Sequence, residues 1–593
     1  MSLPADSLTG MLSAFKQLGR NVQVILSLLA VAIGAAAGAA AIGFRYAIDL
    51  VQLLGFGFGS EKVATLAAAL PWWQLILVPT MGGLAIGLFV HYILPGRRPH
   101  GVADVIEANA LRAGRMSATV GLKAAVVSAA SIGVGASVGR EGPVVHLGAS
   151  IGAWVAKRLH LGRTSARTLL GCGVAAAVAA SFNAPIAGAF FALEVVIGHY
   201  ALTAFAPIVI ASVTGTIISR MYYGDFPAFV MPAMRAITSF WELPAFALLG
   251  VISAIVAIVF IRAVFLAEDT VARLPVPPWV RPALGGLAVG LLAIAFPQIL
   301  GVGYEATNTA LSGLFPLWLL LVLVVAKTGA TAISLGCGFG GGVFSPSLFI
   351  GAMVGGAFGA IATSAFPELS SGPGAYAMVG MGAMAGSVLG APISTVLMIF
   401  ELTSDYSATI AVMIAASIAS LITLQVQGRA FFGTLLLRRG VMVRGGQEIG
   451  LLRAIRARDV MDSTYETITS DTPIAEVRPR LQAAPCGELF VVDADDRLTG
   501  IIAYSDMHEA AYDTSHDAEM TAKDVARNRP TVLQVDDDLE AAVKAYGASG
   551  EVFLPVVDHR DTRRIVGVAH EHKVMLAYHR ALDQARAEER GEG

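Results

Sequence analysis

The stretch GREGPVVHLGASIG, residues 139–152, is the part of this sequence that decides the fold. It places a single carboxylate, Glu141, inside an apolar, glycine-rich region that runs from about residue 124 to residue 152. The bilayer interior strongly penalises a lone charge, so an acid there marks a functional site. The residues after Pro143 have the pattern of a helix start, where free N–H groups attract anions. Glu141 therefore occupies a position at which a small anion could otherwise bind.

The composition of the whole chain is that of a polytopic membrane protein. Of its 593 residues, 55% are hydrophobic and only 14% are charged, which excludes an ordinary soluble protein. The 64 glycines are typical of membrane helices that pack closely or are interrupted. The net charge of −2 gives no indication of a nucleic-acid partner. The three cysteines indicate neither a disulfide framework nor a zinc site.

Hydropathy divides the chain into a membrane region and a soluble region. In the membrane region, 21–440, many apolar runs are broken by glycine or proline, and short, broken helices that meet within the membrane are typical of an ion pathway. The other segments are predicted as a cytoplasmic N-terminal segment at 1–20, a linker at 441–456, two soluble units at 457–515 and 520–582, and a charged tail at 583–593.

The membrane region contains an internal repeat. GREGPVVHLGASIG (139–152) and GVFSPSLFIGAMVG (342–355) share three glycines and a proline in the same register. APIAGAFFALE (184–194) and APISTVLMIFE (391–401) share their proline and their final glutamate, at nearly the same spacing from the first block. Two related halves imply a pseudo-two-fold axis with a site between them. The halves are predicted to span about 21–222 and 240–437.

The positively charged residues indicate the orientation in the membrane. Four cations lie in the short polar link 157–167, and three more lie at 438–444, after the last apolar run. Cytoplasmic loops carry an excess of Lys and Arg. We therefore expect a multi-pass protein of the plasma (inner) membrane with a cytoplasmic C-terminal region.

The soluble region is predicted to be an α/β domain made of two similar units. The segment ELFVVDADDRLTGIIAYSDM (488–507) is similar to VFLPVVDHRDTRRIVGVAHEH (552–572), with Gly500 equivalent to Gly567. Short apolar runs bounded by Asp-rich turns predict buried strands.

Together these residues resemble the CLC family of chloride channels and chloride/proton exchangers, followed by a pair of CBS domains. The resemblance covers nearly the whole chain, and GREGP (139–143), GVFSP (342–346) and the two blocks that run from Ala-Pro-Ile to Glu carry it. It implies a polytopic all-α membrane protein, an inverted-repeat helical bundle, with a cytoplasmic α/β CBS pair. It also implies a homodimer in the lipid bilayer that moves chloride or a related anion, with protons involved. We expect no enzymatic activity, no metal and no required cofactor.

The pore must hold a small anion without trapping it, which backbone N–H groups and helix dipoles do better than a full charge. By the resemblance, the anion is bound in the first half by the backbone N–H groups of Arg140, Glu141 and Gly142. Val343 and Phe344 supply them in the second half. The alternative interpretation is that GVFSP is only a turn that starts a helix.

Glu141 resembles the gating glutamate of the family. When ionised, its carboxylate competes with the anion for the same N–H groups. When protonated, it loses that attraction and can swing away, so proton and anion occupancy become coupled. The alternative interpretation is a structural acid paired with Arg140, whose own charge is expected to add positive potential near the outer mouth.

Two predicted anion-site residues depart from the family pattern. His100 stands where the family has a serine, although its imidazole can still donate through an N–H. The alternative is a histidine at a water-exposed loop edge. Phe432 stands where the family has a tyrosine, and a phenyl ring offers an anion only its positive edge. The resemblance therefore implies anion transport more firmly than chloride selectivity.

A third departure concerns proton coupling. Many exchangers of the family carry a second, proton-carrying glutamate directly after the position of Glu194, and this chain has Val195 there. This favours a channel-like mechanism, with a coupled chloride/proton antiporter as the alternative and a CBS-regulated divalent-cation channel as a distant one. Glu194 and Glu401 themselves are predicted to be structural caps or interhelical hydrogen-bond partners. Lys123 and Lys327 either raise the potential of the pathway or bind helix-end carbonyls.

CBS pairs often bind adenine nucleotides, with a Thr or Ser three residues before an Asp that holds the ribose. The first unit keeps Asp506 but has Ala503, and the second has Ala569 and His572. Asp506 is therefore the single candidate for a nucleotide site. The alternative role of the CBS pair is a dimerisation platform.

Overall fold

The computed structural model describes residues 22–225, 229, 240–441, 455–507, 514–515, 517, 519–559 and 561–590. The chain splits into two compact units, 1–443 and 444–593. The predicted N-terminal segment and most of the predicted linker lie outside the described residues.

The described part of the first unit is helical. Its helices are α1 (Val22–Phe56), α2 (Val63–Ala68), α3 (Trp72–Ile93), α4 (Val102–Leu111), α5 (Ala118–Gly133), α6 (Glu141–Arg158), α7 (Arg163–Phe182), α8 (Pro185–Phe191, continued by a π-helical segment Ala192–Ile197), α9 (Leu202–Tyr223), α10 (Leu243–Ala272), α11 (Arg281–Ala295), α12 (Tyr304–Leu311), α13 (Leu317–Gly336), α14 (Phe344–Ala365), α15 (Pro373–Leu389), α16 (Pro392–Thr403), α17 (Tyr406–Gln427) and α18 (Phe431–Arg438).

Among the described residues, eight helical stretches are long and apolar enough to cross a membrane, and four further apolar helices have only 10–17 residues. A full span needs roughly 20 residues. The shorter helices, which include α5 and α11, cannot cross on their own. This is the pattern of interrupted helices that the sequence predicts.

Gly139 and Gly342 join the two halves by a reciprocal pair of backbone hydrogen bonds. The Gly139 N–H donates to the Gly342 carbonyl at 2.7 Å, and the Gly342 N–H donates to the Gly139 carbonyl at 2.9 Å. These glycines are equivalent positions of the predicted repeat. The structure therefore brings equivalent points of the two halves into direct contact, as expected for an inverted repeat.

Glycines let α6 pack on α7, and α14 on α15, at backbone contact. A Cβ atom added at Gly152 would lie 2.0 Å from the Leu169 carbonyl oxygen, and one added at Gly355 would lie 2.0 Å from the Tyr376 carbonyl oxygen. No real Cβ contact is that short, so only glycine fits at either crossing. The same close packing recurs in both halves.

Glu194 of the first half caps a helix of the second half, and Glu401 of the second half caps a helix of the first. Glu401 accepts hydrogen bonds from the N–H groups of Ile186 and Ala187, both at 2.8 Å, at the start of α8. Glu194 does the same at the start of α16, where the Ser394 N–H donates at 2.8 Å. A carboxylate stabilises the free N–H groups and the positive end of a helix. The predicted role as structural caps is confirmed for both residues.

The two membrane lysines bind backbone carbonyls. Lys327 is fully buried, and its Nζ donates to the carbonyls of Ile299 at 2.9 Å and Gly301 at 2.8 Å. Lys123 is only half-buried, and its Nζ lies 3.4 Å from the Ile93 carbonyl. Of the two predicted roles, the structure shows the binding of carbonyls.

The second unit is α/β. Its elements are α19 (Ala457–Val460), β1 (Thr467–Thr469), α20 (Ile474–Ala483), β2 (Glu488–Val492), β3 (Leu498–Ala503), α21 (Ala522–Val525), β4 (Arg527–Asn528), β5 (Leu533–Gln534), α22 (Leu539–Ser549), β6 (Phe553–Val557), β7 (Ile565–His570) and α23 (Glu571–Arg590). Helix α23 continues through 583–590, most of the segment predicted as a tail.

The two similar parts of this unit have the same topology. Strand β1 pairs parallel with β2, which pairs antiparallel with β3, and β5, β6 and β7 repeat this arrangement. Each part also forms backbone pairings with the segment that precedes the other part in the chain. Arg527 pairs with Ile501 of β3, and Asp462 pairs with Val568 of β7. This exchange joins the two parts into one domain.

Candidate functional site

A cavity of about 500 Å³ lies at the meeting point of the two halves. Its wall contains most of the residues that the sequence predicts for the anion site: His100, Glu141, Gly142, Val343, Phe344 and Phe432. They come from four separate segments of the chain. The fold therefore brings together residues that are up to 332 positions apart in the numbering, His100 and Phe432.

The starts of α6 and α14 face the axis from opposite halves. Helix α6 begins at Glu141 and α14 at Phe344, and neither is capped by a side chain of the preceding residue, Arg140 or Val343. The bridge between Gly139 and Gly342 immediately precedes both starts. Free N–H groups and two positive helix ends therefore converge on the cavity. This arrangement can attract a small anion without a fixed positive side chain.

Glu141 is the ionisable group of the predicted site that is buried at this convergence, with 1% of its surface exposed. Its Oε1 accepts a hydrogen bond from the Tyr304 hydroxyl at 2.7 Å and another from the Ser345 hydroxyl. Its Oε2 is buried without a hydrogen-bond partner. A buried carboxylate oxygen without a donor costs free energy, so the side chain is held from one side only.

Arg140 turns away from Glu141. Its guanidinium pairs with Glu61 at 2.9 Å and lies 4.5 Å above the centre of the Tyr304 ring. Glu61 is also bound by Arg45 at 2.9 Å. Arg140 therefore pairs with Glu61 rather than with Glu141, which removes the ion pair of the alternative interpretation, and the role of Glu141 stays a prediction. The Arg140 side chain instead lines a separate, water-sized cavity together with Tyr304 and Glu61.

His100 lines the main cavity, but both of its ring nitrogens have partners. Nε2 lies 3.2 Å from the Pro95 carbonyl and Nδ1 lies 3.3 Å from an Asp104 oxygen. Asp104 also binds Arg98 at 2.6 Å and Arg439 at 3.4 Å. One of the His100 contacts must break before the imidazole can donate to an anion, so the predicted donor role stays a prediction.

His146 adds a second imidazole next to His100. The two rings are stacked with their centres 5.7 Å apart. His146 is 2% exposed, and its Nδ1 has no hydrogen-bond partner. It lines a second, larger cavity together with His100 and Lys157. His100 is common to both cavities, so protonatable groups lie where they adjoin.

Phe432 and Phe344 give the main cavity an apolar wall. Phe432 is 8% exposed and meets Phe431 edge to face. Phe344 packs against Phe182 and Phe191 with ring centres 5.0 and 5.8 Å apart. Such a wall excludes water, which strengthens the attraction of the backbone dipoles for an anion.

Tyr304 and Ser345 are the site residues that the sequence did not single out. Ser345 lies within the GVFSP motif, directly after two residues that were selected. Tyr304 follows Gly303, at the start of α12, as Val102 follows Gly101 at the start of α4. The internal repeat therefore offered a signal for Tyr304, because its equivalent loop contains His100.

Within the described residues, no group of three or more His, Cys, Asp or Glu side chains could hold a metal ion. Glu194 and Glu401 are occupied by backbone N–H groups. The distant alternative of a divalent-cation channel is therefore not favoured.

In the second unit, the candidate nucleotide residue Asp506 already has partners. Its carboxylate accepts hydrogen bonds from the Ala503 N–H at 2.8 Å and from Arg527 at 2.9 Å. Arg527 also binds Glu551. Both bonds are accepted by Oδ2, and the adenine nucleotide stays a prediction.

Glu488 lies beside this ion cluster and is expected to make the stability of the second unit depend on pH. Burial, followed by the charge of Glu551, raises its pKa from 4.5 to about 7. The folded state thus holds the proton more tightly than the unfolded state, so stability is lost as pH rises from about 4.5 through 7. The loss is roughly 3 kcal/mol at most.

We therefore expect Glu488→Gln to stabilise the second unit at pH 8 and to change little at pH 4.5. Hydrogen exchange of the β2 amides in the full-length protein, compared with the parent at each pH, measures this. Glu466→Gln serves as the control, because Glu466 is half-exposed and paired with Arg480. Faster exchange in Glu488→Gln than in the parent at pH 8 contradicts the expectation.

The fold and the site together define a multi-pass membrane protein in which two repeated halves meet at one cavity. Residues 82–424 match the family described as voltage gated chloride channel, and residues 457–513 match the CBS domain. The chain belongs to this voltage gated chloride channel family, the CLC family of anion-transport proteins.

Individual relatives agree with this assignment. A ClcB-like protein of Ralstonia nicotianae, named as a chloride channel, is 38% identical over 65% of this chain and 90% of its own length. The crystal structure of a slow cyanobacterial Cl⁻/H⁺ antiporter has a TM-score of 0.63 at 24% identity, over 70% of this chain and 97% of that one. A CLC-type fluoride/proton antiporter gives 0.59 at 22%, over 69% and 97%. The likeness to these structures concerns the fold.

Proposed function

We propose that this chain moves chloride or a similar small anion across the plasma (inner) membrane in a channel-like manner, with Glu141 as a protonatable gate. The observation that carries the proposal is the position of Glu141, buried at the first residue of α6 in the wall of the main cavity. An ionised carboxylate there competes with an anion for the same helix starts. A protonated one does not, so acid opens the path.

The orientation follows from the cations around His100. Arg439 pairs with Asp104 beside His100, and Lys157 lines the larger cavity that His100 shares. The positive-inside bias supports a cytoplasmic position for this side of the membrane unit. We propose a cytoplasmic C-terminal region as well, because Arg438 and Arg439 follow the last apolar run. The resemblance further implies a homodimer with one path in each subunit, embedded in lipid.

The second candidate function is coupled chloride/proton exchange. The stacked imidazoles of His100 and His146 favour it, because they place protonatable groups where the main cavity adjoins the larger one. Val195 argues against it, since the half-buried valine side chain cannot carry a proton. We therefore place exchange second.

One flux experiment separates the two candidates. Full-length protein is reconstituted in liposomes, and chloride efflux and internal pH are followed together under a chloride gradient. We expect chloride efflux that rises from pH 7.5 to pH 5, without proton movement against its gradient. Uphill proton movement establishes exchange instead. Efflux no faster than from protein-free liposomes at every pH rejects anion transport.

A further inference from the structure

We propose that Tyr304, together with Ser345, is a positioning residue that holds Glu141 in the closed position and sets how readily the gate opens. The inference rests on the proposed gating role of Glu141 and adds the residues that oppose its release.

The contacts of Glu141 carry the proposal. Both hydroxyls donate to the same oxygen, Oε1. They come from the starts of two helices of the second half, α12 and α14, whereas Glu141 belongs to the first half. All three side chains are buried, with exposures of 5% for Tyr304 and 1% for Ser345 and Glu141. The two hydroxyls thus connect the second half of the protein to Glu141 in the first half.

The Tyr304 ring is fixed by two neighbouring side chains and by its backbone. Arg140 lies over it at 4.5 Å, and Phe229 meets it edge to face with ring centres 4.8 Å apart. Gly303, directly before it, has φ +90°, a conformation that favours glycine and sets the turn into α12. The hydroxyl is therefore held in place before it binds Glu141, and less rotamer freedom is lost in the bond.

The anchoring continues outward from the ring. Arg140 is bound by Glu61, and Glu61 is bound by Arg45. Tyr304 and Glu61 both line the water-sized cavity on this side. Tyr304 thus stands between this ion cluster and the gate.

The direction of the hydrogen bonds sets the expected effect. A hydroxyl donates more strongly to an ionised carboxylate than to a neutral carboxyl group. The two bonds therefore stabilise the ionised, closed gate and are weaker once Glu141 is protonated. They keep flux low at neutral pH and sharpen its response to acid.

The test is Tyr304→Phe in full-length protein in liposomes. We expect chloride flux at pH 7.5 to rise roughly 3- to 10-fold, and the ratio of variant to parent flux to fall as the pH is lowered. The same substitution in a Glu141→Ala background is expected to change flux by less than about 1.5-fold, because the carboxylate that accepts the Tyr304 hydrogen bond is absent. A merely structural tyrosine does not produce this coupling.

Two matched controls and a second variant keep the test decisive. Tyr376→Phe removes another buried hydroxyl, which donates to Glu242 at 3.1 Å, and Ser347→Ala removes one that donates to the Phe344 carbonyl. Neither is expected to alter the pH profile. Ser345→Ala replaces Tyr304→Phe if the latter does not fold.

Two results overturn the positioning role. One is unchanged neutral-pH flux in both Tyr304→Phe and Ser345→Ala, while Glu141→Ala alters it. The other is an equal effect of Tyr304→Phe with and without Glu141. If Glu141→Ala itself changes neither flux nor pH response, the proposed gate is what fails.

Discussion

Glu141→Ala is expected to raise chloride flux at pH 7.5 by about tenfold or more and to flatten the rise of flux between pH 7.5 and pH 5. The carboxylate is buried at the helix starts, held by two hydroxyls. Its removal leaves those N–H groups to the anion at every pH. Each factor of ten in flux corresponds to about 1.4 kcal/mol of stabilisation of the closed state by Glu141.

Chloride efflux from liposomes at matched protein density measures this, with Glu141→Gln beside Glu141→Ala. Glutamine keeps the size of the side chain but cannot ionise, so it separates charge from bulk. Glu368→Gln is the control, since Glu368 is an exposed acid outside the cavity. Unchanged flux and unchanged pH response in Glu141→Ala reject the gating role.

Gly152→Ala is expected to prevent correct packing of the membrane unit. Its Cβ would lie 2.0 Å from the Leu169 carbonyl oxygen, a backbone atom that cannot rotate away. Helices α6 and α7 would have to separate, at a cost of about 3 kcal/mol or more. Because α6 begins at Glu141, the separation would also displace the site. Gly355→Ala is expected to act in the same way on α14 and α15.

The yield of monodisperse protein in detergent and its thermal midpoint measure this effect. Gly43→Ala is the matched control, because a Cβ added at Gly43 within α1 has no heavy atom within 4 Å. Alanine also favours a helix over glycine by about 1 kcal/mol, so this control is expected to be at least as stable as the parent. A Gly152→Ala protein that elutes and melts like Gly43→Ala contradicts the prediction.

The repeat made the central geometry of the membrane unit predictable. Gly139 and Gly342 were matched by sequence alone, and the structure shows them bonded to each other. Glu194 and Glu401 were recognised as caps because a lone acid at the end of an apolar helix has few other ways to be satisfied. Few residue types can make such contacts within a membrane, so the residue types in the sequence indicate the contacts.

The partners of the polar side chains could not be predicted in the same way. Tyr304 reaches Glu141 from another half of the protein, and Glu61 reaches Arg140 from a loop near α2. His146 meets His100 through the packing of α6 against α4. Such contacts depend on how helices cross, and no local pattern encodes a crossing.

In the second unit, too, the strands were predictable and the contacts between its parts were not. Strands β2 and β6 were visible as apolar runs between Asp-rich turns, and the similarity of the two parts was read from Gly500 and Gly567. The exchange of preceding segments was not predicted, because the pairings of Asp462 and Arg527 involve one or two residues each. So short a pairing leaves no periodic pattern in the sequence.

The pair of bonds between Gly139 and Gly342 clamps the two helix starts at a fixed separation. Widening the gap between them would break two buried backbone hydrogen bonds at once, so the spacing of the two helix starts is set by the main chain and is mechanically stiff. Substitution of the side chains that line the cavity can then change its shape and polarity while the spacing of the helix starts stays the same.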